Sequence, residues 1–308
     1  MRVVIIGQAA FGEAVYKALV EQGEVVAGVC APATKAGARP DPLRAAAEAN
    51  GLTVLETRRL RTPEVFDHYA GWQPELVVMA FVTDILRENV LAAPALGVIQ
   101  YHPSLLPRHR GNSAINWAII SGERQTGLTV FWPDKGIDTG PILLQKEAPI
   151  DPDDTTGSLY FNTLFPLGVQ AMVEAVQLVR LGTAPRVAQD EWQATYEKPC
   201  RDEDARVDWS APAGETYNLI RGCNPQPGAW TTHRGEPLKL FDVERVPAGA
   251  GGGAPGEVLG IEPAGLLIAL PRAVLQLKRV QRPGAGKIPA KQYAEEAGLQ
   301  VGERLGEH

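Results

Sequence analysis

An apolar run, Val98-Ile-Gln-Tyr-His102, ends in a histidine and is stopped by Pro103. If the run is a strand, its period of two turns Gln100 and His102 to the same side. Imidazole titrates near neutral pH, so His102 can donate or accept a proton. Asp138-Thr-Gly140 stands 36 residues further on, in a polar turn after a second apolar run, 128–132. A carboxylate beside an imidazole favours the charged ring, which can then donate to a developing oxyanion. His and Asp so placed make an acid–base pair, and Gln100 lies on the histidine's side. Taken singly, His102 reads as a satisfied, half-buried histidine and Asp138 as an ordinary turn residue. Their significance is the pairing of two strand ends.

Other chemistry fits less well. Ser104 follows the strand but lacks the G-x-S-x-G elbow of a serine hydrolase, and Cys30 has no local signature of a nucleophile. The turn Gly7-Gln-Ala-Ala-Phe-Gly12 joins a strand to a helix but is neither G-x-G-x-x-G nor a GK[ST] loop. It reads as a tight turn in a Rossmann-like sheet, and no NAD(P) is expected. Asp134 and Asp138 lack the spaced oxygens and terminal Glu of a calcium loop. His109, between Arg108 and Arg110, reads as a solvated loop residue. Cys30, Cys200 and Cys223 are scattered and odd in number. They form neither a CxxC metal site nor a disulfide framework, so no metal is expected, and they fit a reducing cytosol.

The elements that must position these residues alternate. Strands are expected at 2–6, 24–30, 52–55, 76–81 and 97–102, with helices at 13–21 and 42–50 between them. Such alternation implies βαβ units and a mostly parallel sheet. Open parallel sheets place their sites at the C-terminal strand ends, where His102 falls. Later strands are expected at 128–132 and 142–146. A long helix follows from 155 to about 180, capped by Asp153 or Asp154 and kinked or divided at Pro166. Residues 183–204 read as a surface linker. Beyond it come a helix at 214–221 and short strands at 238–243, 256–261, 266–270 and 274–280, which suggest a small barrel. The Gly/Ala stretch 247–255 reads as a flexible loop. Two domains are therefore expected, 1–203 and 204–308.

The 308 residues carry 30 Lys+Arg against 36 Asp+Glu, a net charge of −6. An apolar content of 44% with 21% charged residues excludes global disorder. No run approaches the ~18 apolar residues of a membrane span, so no membrane association is expected. The N-terminus lacks the pattern of a signal peptide. Acidity gives no general attraction to nucleic acid.

His102-Pro-Ser-Leu-Leu-Pro107 with Arg110-Gly111, followed by Asp138-Thr-Gly140, resembles the formyltransferases that use 10-formyltetrahydrofolate. That family includes enzymes acting on glycinamide ribonucleotide, methionyl-tRNA and amino sugars. It also includes the formyl-hydrolase domain of 10-formyltetrahydrofolate dehydrogenase. Tyr101 to Gly111, Ser113-Ala-Ile-Asn-Trp117, Leu143-Leu-Gln-Lys-Glu147 and Gly182-Thr-Ala-Pro185 are similar to that hydrolase domain almost letter for letter. The likeness covers residues 1 to about 245, and the rest more loosely. It implies a Rossmann-like domain followed by an OB-like barrel, and 10-formyltetrahydrofolate as formyl donor, with no metal or NAD(P).

By the same resemblance His102, Asp138 and Gln100 are the catalytic group. The pterin is expected beside Phe81, Asp84, Ile85 and Leu86, with Ser104, Leu105, Leu106 and Pro107 along the pocket. Most of the family's transferases have Asn where Gln100 stands, and the hydrolase domain also lacks that Asn. Methionyl-tRNA enzymes usually carry a longer basic insertion after the second strand, whereas residues 31–41 hold only Lys35 and Arg39. Residues 224–230 mix the two subfamilies. Hydrolysis to tetrahydrofolate and formate is therefore expected first. Methionyl-tRNA as acceptor is the alternative, and a small amine such as an amino sugar follows. The chain ends without the carrier and aldehyde dehydrogenase domains, so the full oxidative reaction is not expected of it. Arg58, Arg59 and Arg61, and Lys278, Arg279, Arg282, Lys287 and Lys291, are read as solvated charges unless they gather into a patch for tRNA.

Overall fold

Val3, Val4, Ile5 and Ile6 have no exposed surface, so β1 (Arg2–Gly7) is covered on both faces, as a central parallel strand must be. The computed structural model describes residues 1–246 and 252–306. After β1 come α1 (Ala9–Glu21), β2 (Val25–Ala31), α2 (Pro42–Ala49), β3 (Val54–Glu56), α3 (Pro63–Gly71), β4 (Leu76–Ala80), α4 (Glu88–Ala92) and β5 (Val98–His102). The chain continues through β6 (Arg110–Gly111), α5 (Ala114–Ile120), β7 (Gln125–Phe131), β8 (Ile142–Pro149), α6 (Thr156–Ser158), α7 (Phe165–Arg180) and β9 (Tyr196–Glu197).

Seven strands form one sheet in the order β3-β2-β1-β4-β5-β7-β8. Pairing is parallel from β3 to β5, and β7 runs antiparallel to β5. Alternate side chains of β1 enter two cores. Val3 and Ile5 pack with Val15, Leu19, Met172 and Val176, whereas Val4 and Ile6 pack with Leu60, Tyr69 and Met79. Each large aliphatic side chain so buried contributes roughly 1.5–3 kcal/mol, which fixes the strand ends that carry the site.

The opening glycine turn is a close-packing device. A Cβ on Gly7 would lie 2.4 Å from the Ala80 carbonyl oxygen. Asp41 Oδ2 accepts from the Ala9 amide at 2.7 Å, so a carboxylate of the protein caps the start of α1.

The expected long helix is divided near Pro166. A π-helical turn, Leu159–Leu164, separates α6 from α7, and Pro166 sits in the first turn of α7, where proline is tolerated. The N-cap where the expected helix begins, before α6, is Thr155, not Asp153 or Asp154. Thr155 Oγ1 accepts from the Ser158 amide at 3.0 Å, and Ser158 Oγ accepts from the Thr155 amide at 2.9 Å. This reciprocal box leaves Asp154 to accept from the Ser158 hydroxyl instead.

Beyond β9 lie α8 (Ala213–Gly222), β10 (Ala229–His233), β11 (Glu236–Val246), β12 (Val258–Glu262), β13 (Gly265–Leu270), β14 (Ala273–Gln281), β15 (Ile288–Pro289) and α9 (Ala290–Ala297). These strands form an antiparallel sheet ordered β10-β11-β14-β13-β12, with β15 beside β14. Its core gathers Trp209, Tyr217, Leu240, Leu266 and Leu277. Of the stretch 247–255 expected as a loop, residues 247–251 lie outside the described residues. The chain divides into two compact units. One holds residues 1–110, 127–148 and 162–196; the other holds 111–126, 149–161 and 197–308. Among the described residues no helix is long and apolar enough to cross a membrane.

Candidate active site

His102 is the last residue of β5, at the C-terminal edge of the parallel strands. Register pairing sets it opposite Thr129 of β7, and Gln100 opposite Phe131. His102 is 5% exposed, and its ring is held at Nε2. Nε2 lies 2.7 Å from the backbone oxygen of His109. A carbonyl only accepts, so Nε2 carries the proton and donates it. Nδ1 lies 3.5 Å from Asp138 Oδ2. The structure thus brings together the two residues paired from sequence. In the neutral ring with Nε2 protonated, the Nδ1 lone pair faces the carboxylate.

Asp138 adopts a left-handed backbone, φ 55°. Its turn is folded by Asp134, whose Oδ1 accepts from the Gly136 amide at 2.9 Å and from Thr139 Oγ1 at 2.5 Å. Gly140 is required where the turn closes, because a Cβ there would lie 1.7 Å from the Trp132 carbonyl oxygen. Gln100 is half-buried, on the same strand as His102, and its amide makes no hydrogen bond to another described residue.

The loop after His102 is built around Thr129. Thr129 Oγ1 donates to the Ser104 carbonyl at 2.7 Å and accepts from the Leu106 amide at 3.0 Å. Gln145 Nε2 donates to the Leu106 carbonyl at 2.8 Å, and the Leu106–Pro107 peptide is cis. Ser104 is buried and donates its hydroxyl to the Arg108 carbonyl at 2.6 Å. Leu106 is buried, whereas Leu105 and Pro107 are half-buried.

The segment after β4 is the most exposed part of the predicted pocket. Phe81 has a left-handed backbone, φ 61°, and is 44% exposed. Ile85 is 92% exposed, so it does not pack as the start of a helix; α4 begins only at Glu88. Leu86 packs against the core that holds Tyr69. Asp84 Oδ1 accepts from Arg58 Nε at 3.1 Å.

Two readings near the site are corrected. His109 is 6% exposed, not solvated, because its carbonyl accepts from His102 Nε2 and its amide donates to Thr195 Oγ1. Arg110 has no exposed surface. Its guanidinium donates to Glu191 from both Nη atoms, at 2.9 and 2.6 Å, to Gln189 Oε1 at 3.1 and 2.8 Å, and to the Tyr196 hydroxyl at 2.8 Å. A buried cation requires such pairing. The hydrogen bond from Arg110 holds the Glu191 carboxyl below its usual range, and Glu191 holds the guanidinium more firmly charged. Residues 183–204 are therefore more than a linker: they supply the partners of Arg110. Sequence reading missed Gln189, Glu191 and Thr195, which carry no local motif. The signal was Arg110 itself, charged yet two residues from an apolar turn.

Residues 1–176 match the formyl transferase family and residues 199–298 match the formyl transferase C-terminal domain. The cytosolic 10-formyltetrahydrofolate dehydrogenase of Xenopus tropicalis is 40% identical over 317 residues, which cover 98% of this chain and 35% of the relative. The chain thus spans about a third of the length of that relative. The methionyl-tRNA formyltransferase of Symbiobacterium thermophilum is 36% identical over 311 residues, 99% of this chain and 95% of the relative. HypX of Aquifex aeolicus, solved with tetrahydrofolic acid, has the same fold, with a TM-score of 0.72 at 20% identity, covering 98% of this chain and 48% of that one. The N-formyltransferase of Helicobacter canadensis, solved with folinic acid and dTDP-3-aminofucose, gives 0.65 at 16%, covering 90% and 99%. With both family regions matched in order along its length, the chain belongs to the formyl transferase family.

Proposed function

We propose that this protein removes the formyl group of 10-formyltetrahydrofolate by hydrolysis, giving tetrahydrofolate and formate. The observation that supports removal of the formyl group, to water or to an amine alike, is the imidazole of His102, held at Nε2 by the His109 carbonyl and facing Asp138 through Nδ1 at 3.5 Å. Water attacks the formyl carbon, and Asp138 accepts its proton. Protonated His102 donates from Nδ1 to the oxyanion of the tetrahedral intermediate, helped by the Gln100 amide. Collapse breaks the bond to N10, which takes the proton from Asp138 as it leaves, and the formic acid set free ionises to formate and a proton. The exposed Phe81 and Ile85 offer apolar surface for a flat pterin ring. Asp84, Leu86 and Ser104 to Pro107 shape the rest of that pocket. No step calls on a metal or NAD(P). Three free thiols suit a reducing compartment such as the cytosol.

Water is favoured as acceptor by the likeness to the dehydrogenases and by the state of the basic residues. Lys278 pairs with Glu244, Arg282 with Glu296, Arg279 with Asp242 at 3.9 Å and Lys291 with Glu295 at 3.8 Å. Lys287 lies over the Phe241 ring. With carboxylates beside most of these cations, the group carries little net positive charge to draw a polyanion. The near full-length match to a methionyl-tRNA formyltransferase sustains the second reading, in which the amine of methionyl-tRNA replaces water.

One assay separates them: formate release and 10-formyltetrahydrofolate consumption, with and without charged initiator tRNA. Hydrolysis predicts formate without tRNA and no acceleration by it. Salt-sensitive formylation of methionyl-tRNA without formate would replace the first reading by the second. His102→Ala and Asp138→Asn should each lower turnover at least ~100-fold, with folate affinity changed far less.

A further inference from the structure

His102 and Asp138 both depend on loops, and one short segment, residues 189–196, holds both loops. Thr195 is bonded to the first loop at three points. Its amide donates to the Pro107 carbonyl at 3.2 Å, its carbonyl accepts from the Arg110 amide at 3.0 Å, and its Oγ1 accepts from the His109 amide at 2.8 Å. Those bonds fix the peptide whose oxygen meets His102 Nε2. Gln189 holds the second loop, and its amide has one possible orientation. The Arg110 guanidinium can only donate, so Oε1 must face it. Nε2 must then face the other way, where it donates to the carbonyls of Asp138 at 2.8 Å and Gly140 at 2.7 Å. Arg110 is itself fixed by Glu191 and Tyr196, so the orientation is transmitted from one loop to the other through buried groups.

His109 and Asp138 both have left-handed backbones, φ 55° each. Non-glycine residues keep that conformation only where the surroundings over-determine it. The bonds from Thr195 and Gln189 converge on these two residues. We infer that Gln189 and Thr195 are positioning residues that set the His102–Asp138 geometry, Thr195 through the tautomer-fixing carbonyl of His109 and Gln189 through the backbone of Asp138. The inference rests on the catalytic reading of that pair given above.

The first test uses the unaltered protein. Ring 15N and 1H shifts should report His102 as the Nε2–H tautomer when neutral, and an Nδ1–H tautomer overturns the role of the His109 carbonyl without any variant. The second test uses Thr195→Val, which keeps the shape but removes the acceptor, and Gln189→Leu. Each should lower kcat by ~10–100-fold while KM for 10-formyltetrahydrofolate stays within ~3-fold, because misplacement by about an ångström removes reactivity rather than binding. Thr195→Val should also mix the two His102 tautomers, and Thr195→Ser should restore both kcat and tautomer. A merely structural role predicts a lower Tm with kcat and tautomer unchanged, and that result refutes the proposal. His102→Ala, run alongside, keeps the two conclusions apart. If it abolishes turnover while Gln189→Leu and Thr195→Val do not, the positioning role fails alone. If it leaves turnover intact, the catalytic reading fails first.

Discussion

Gly140→Ala puts the Asp138 turn under a load that can be read from the structure. An added Cβ would stand 1.7 Å from the Trp132 carbonyl oxygen, 2.8 Å from its carbon and 3.3 Å from the Asp134 amide nitrogen. Carbon contacts below 3.0 Å are essentially never found, so the turn must open by the difference, about 1.3 Å. The obstacle is backbone, at the join between β7 and the turn, so no side chain can swing aside. Asp138 is two residues away and shares the Gln189 clamp with Gly140. A shift of this size at the carboxylate should lower turnover on the order of 100-fold. Overpacking should also destabilise by ~1–3 kcal/mol, a Tm loss of roughly 2–12 °C. The assay is formate release at saturating 10-formyltetrahydrofolate, with Tm and tetrahydrofolate affinity measured on the same preparations. Gly71→Ala is the control, because a Cβ there meets nothing within 4 Å. Wild-type turnover in Gly140→Ala with a lowered Tm would mean that the placement of Asp138 does not limit the reaction.

Gln100→Leu should lower kcat with KM nearly unchanged if the amide steadies the oxyanion; an unaltered kcat would leave His102 acting without it. Cys200 Sγ lies 3.9 Å from Cys223 Sγ. That hydrogen bond holds the Cys200 thiol below its usual range and pushes Cys223 up, while burial pushes Cys30 up. Brief maleimide treatment near neutral pH should therefore modify Cys200 first, Cys200→Ser should remove the fast adduct in peptide mass spectra, and equal labelling of Cys30 would contradict this. Glu191 is depressed in the folded state, so its contribution is present above the ordinary carboxylate range and is lost as pH falls through the lowered value. The acid limb of Tm against pH should accordingly be shallower in Glu191→Gln, and parallel limbs would remove Glu191 from acid stability.

The sheet was largely legible because its strands are continuous apolar runs bounded by turn residues, and His102 stood out as the polar end of one. α3 and α9 went unread although Pro63 and Pro289 mark their starts. Both are short, and their apolar faces have meaning only against the core each covers. α5 is not legible by period, since AINWAII has no polar face to show one. The cap falls just past the acidic pair, because the reciprocal Thr155–Ser158 box satisfies two amides where a single carboxylate satisfies one. The catalytic pair could be anticipated from two strand ends. Its supports could not. Gln189 reaches Asp138 across 51 residues, and Thr195 reaches His109 across 86. Nothing in the local sequence distinguishes Gln189 or Thr195 from the surface polar residues around them.

The interleaving of the two compact units has a consequence for inheritance. α5 belongs with the second unit, where Asn116 Nδ2 donates to the Gly222 carbonyl at 2.8 Å and the Gly222 backbone lies against Ile120. A gene cut at any one point inside the chain leaves at least one unit without a piece of itself. A fragment ending before α8, for instance, would keep the apolar α5 and lose the helix that covers it. Coding sequence added at the ends of the chain, by contrast, divides neither unit. The chain is similar to about a third of one relative and to 95% of another, as additions of that kind would leave it.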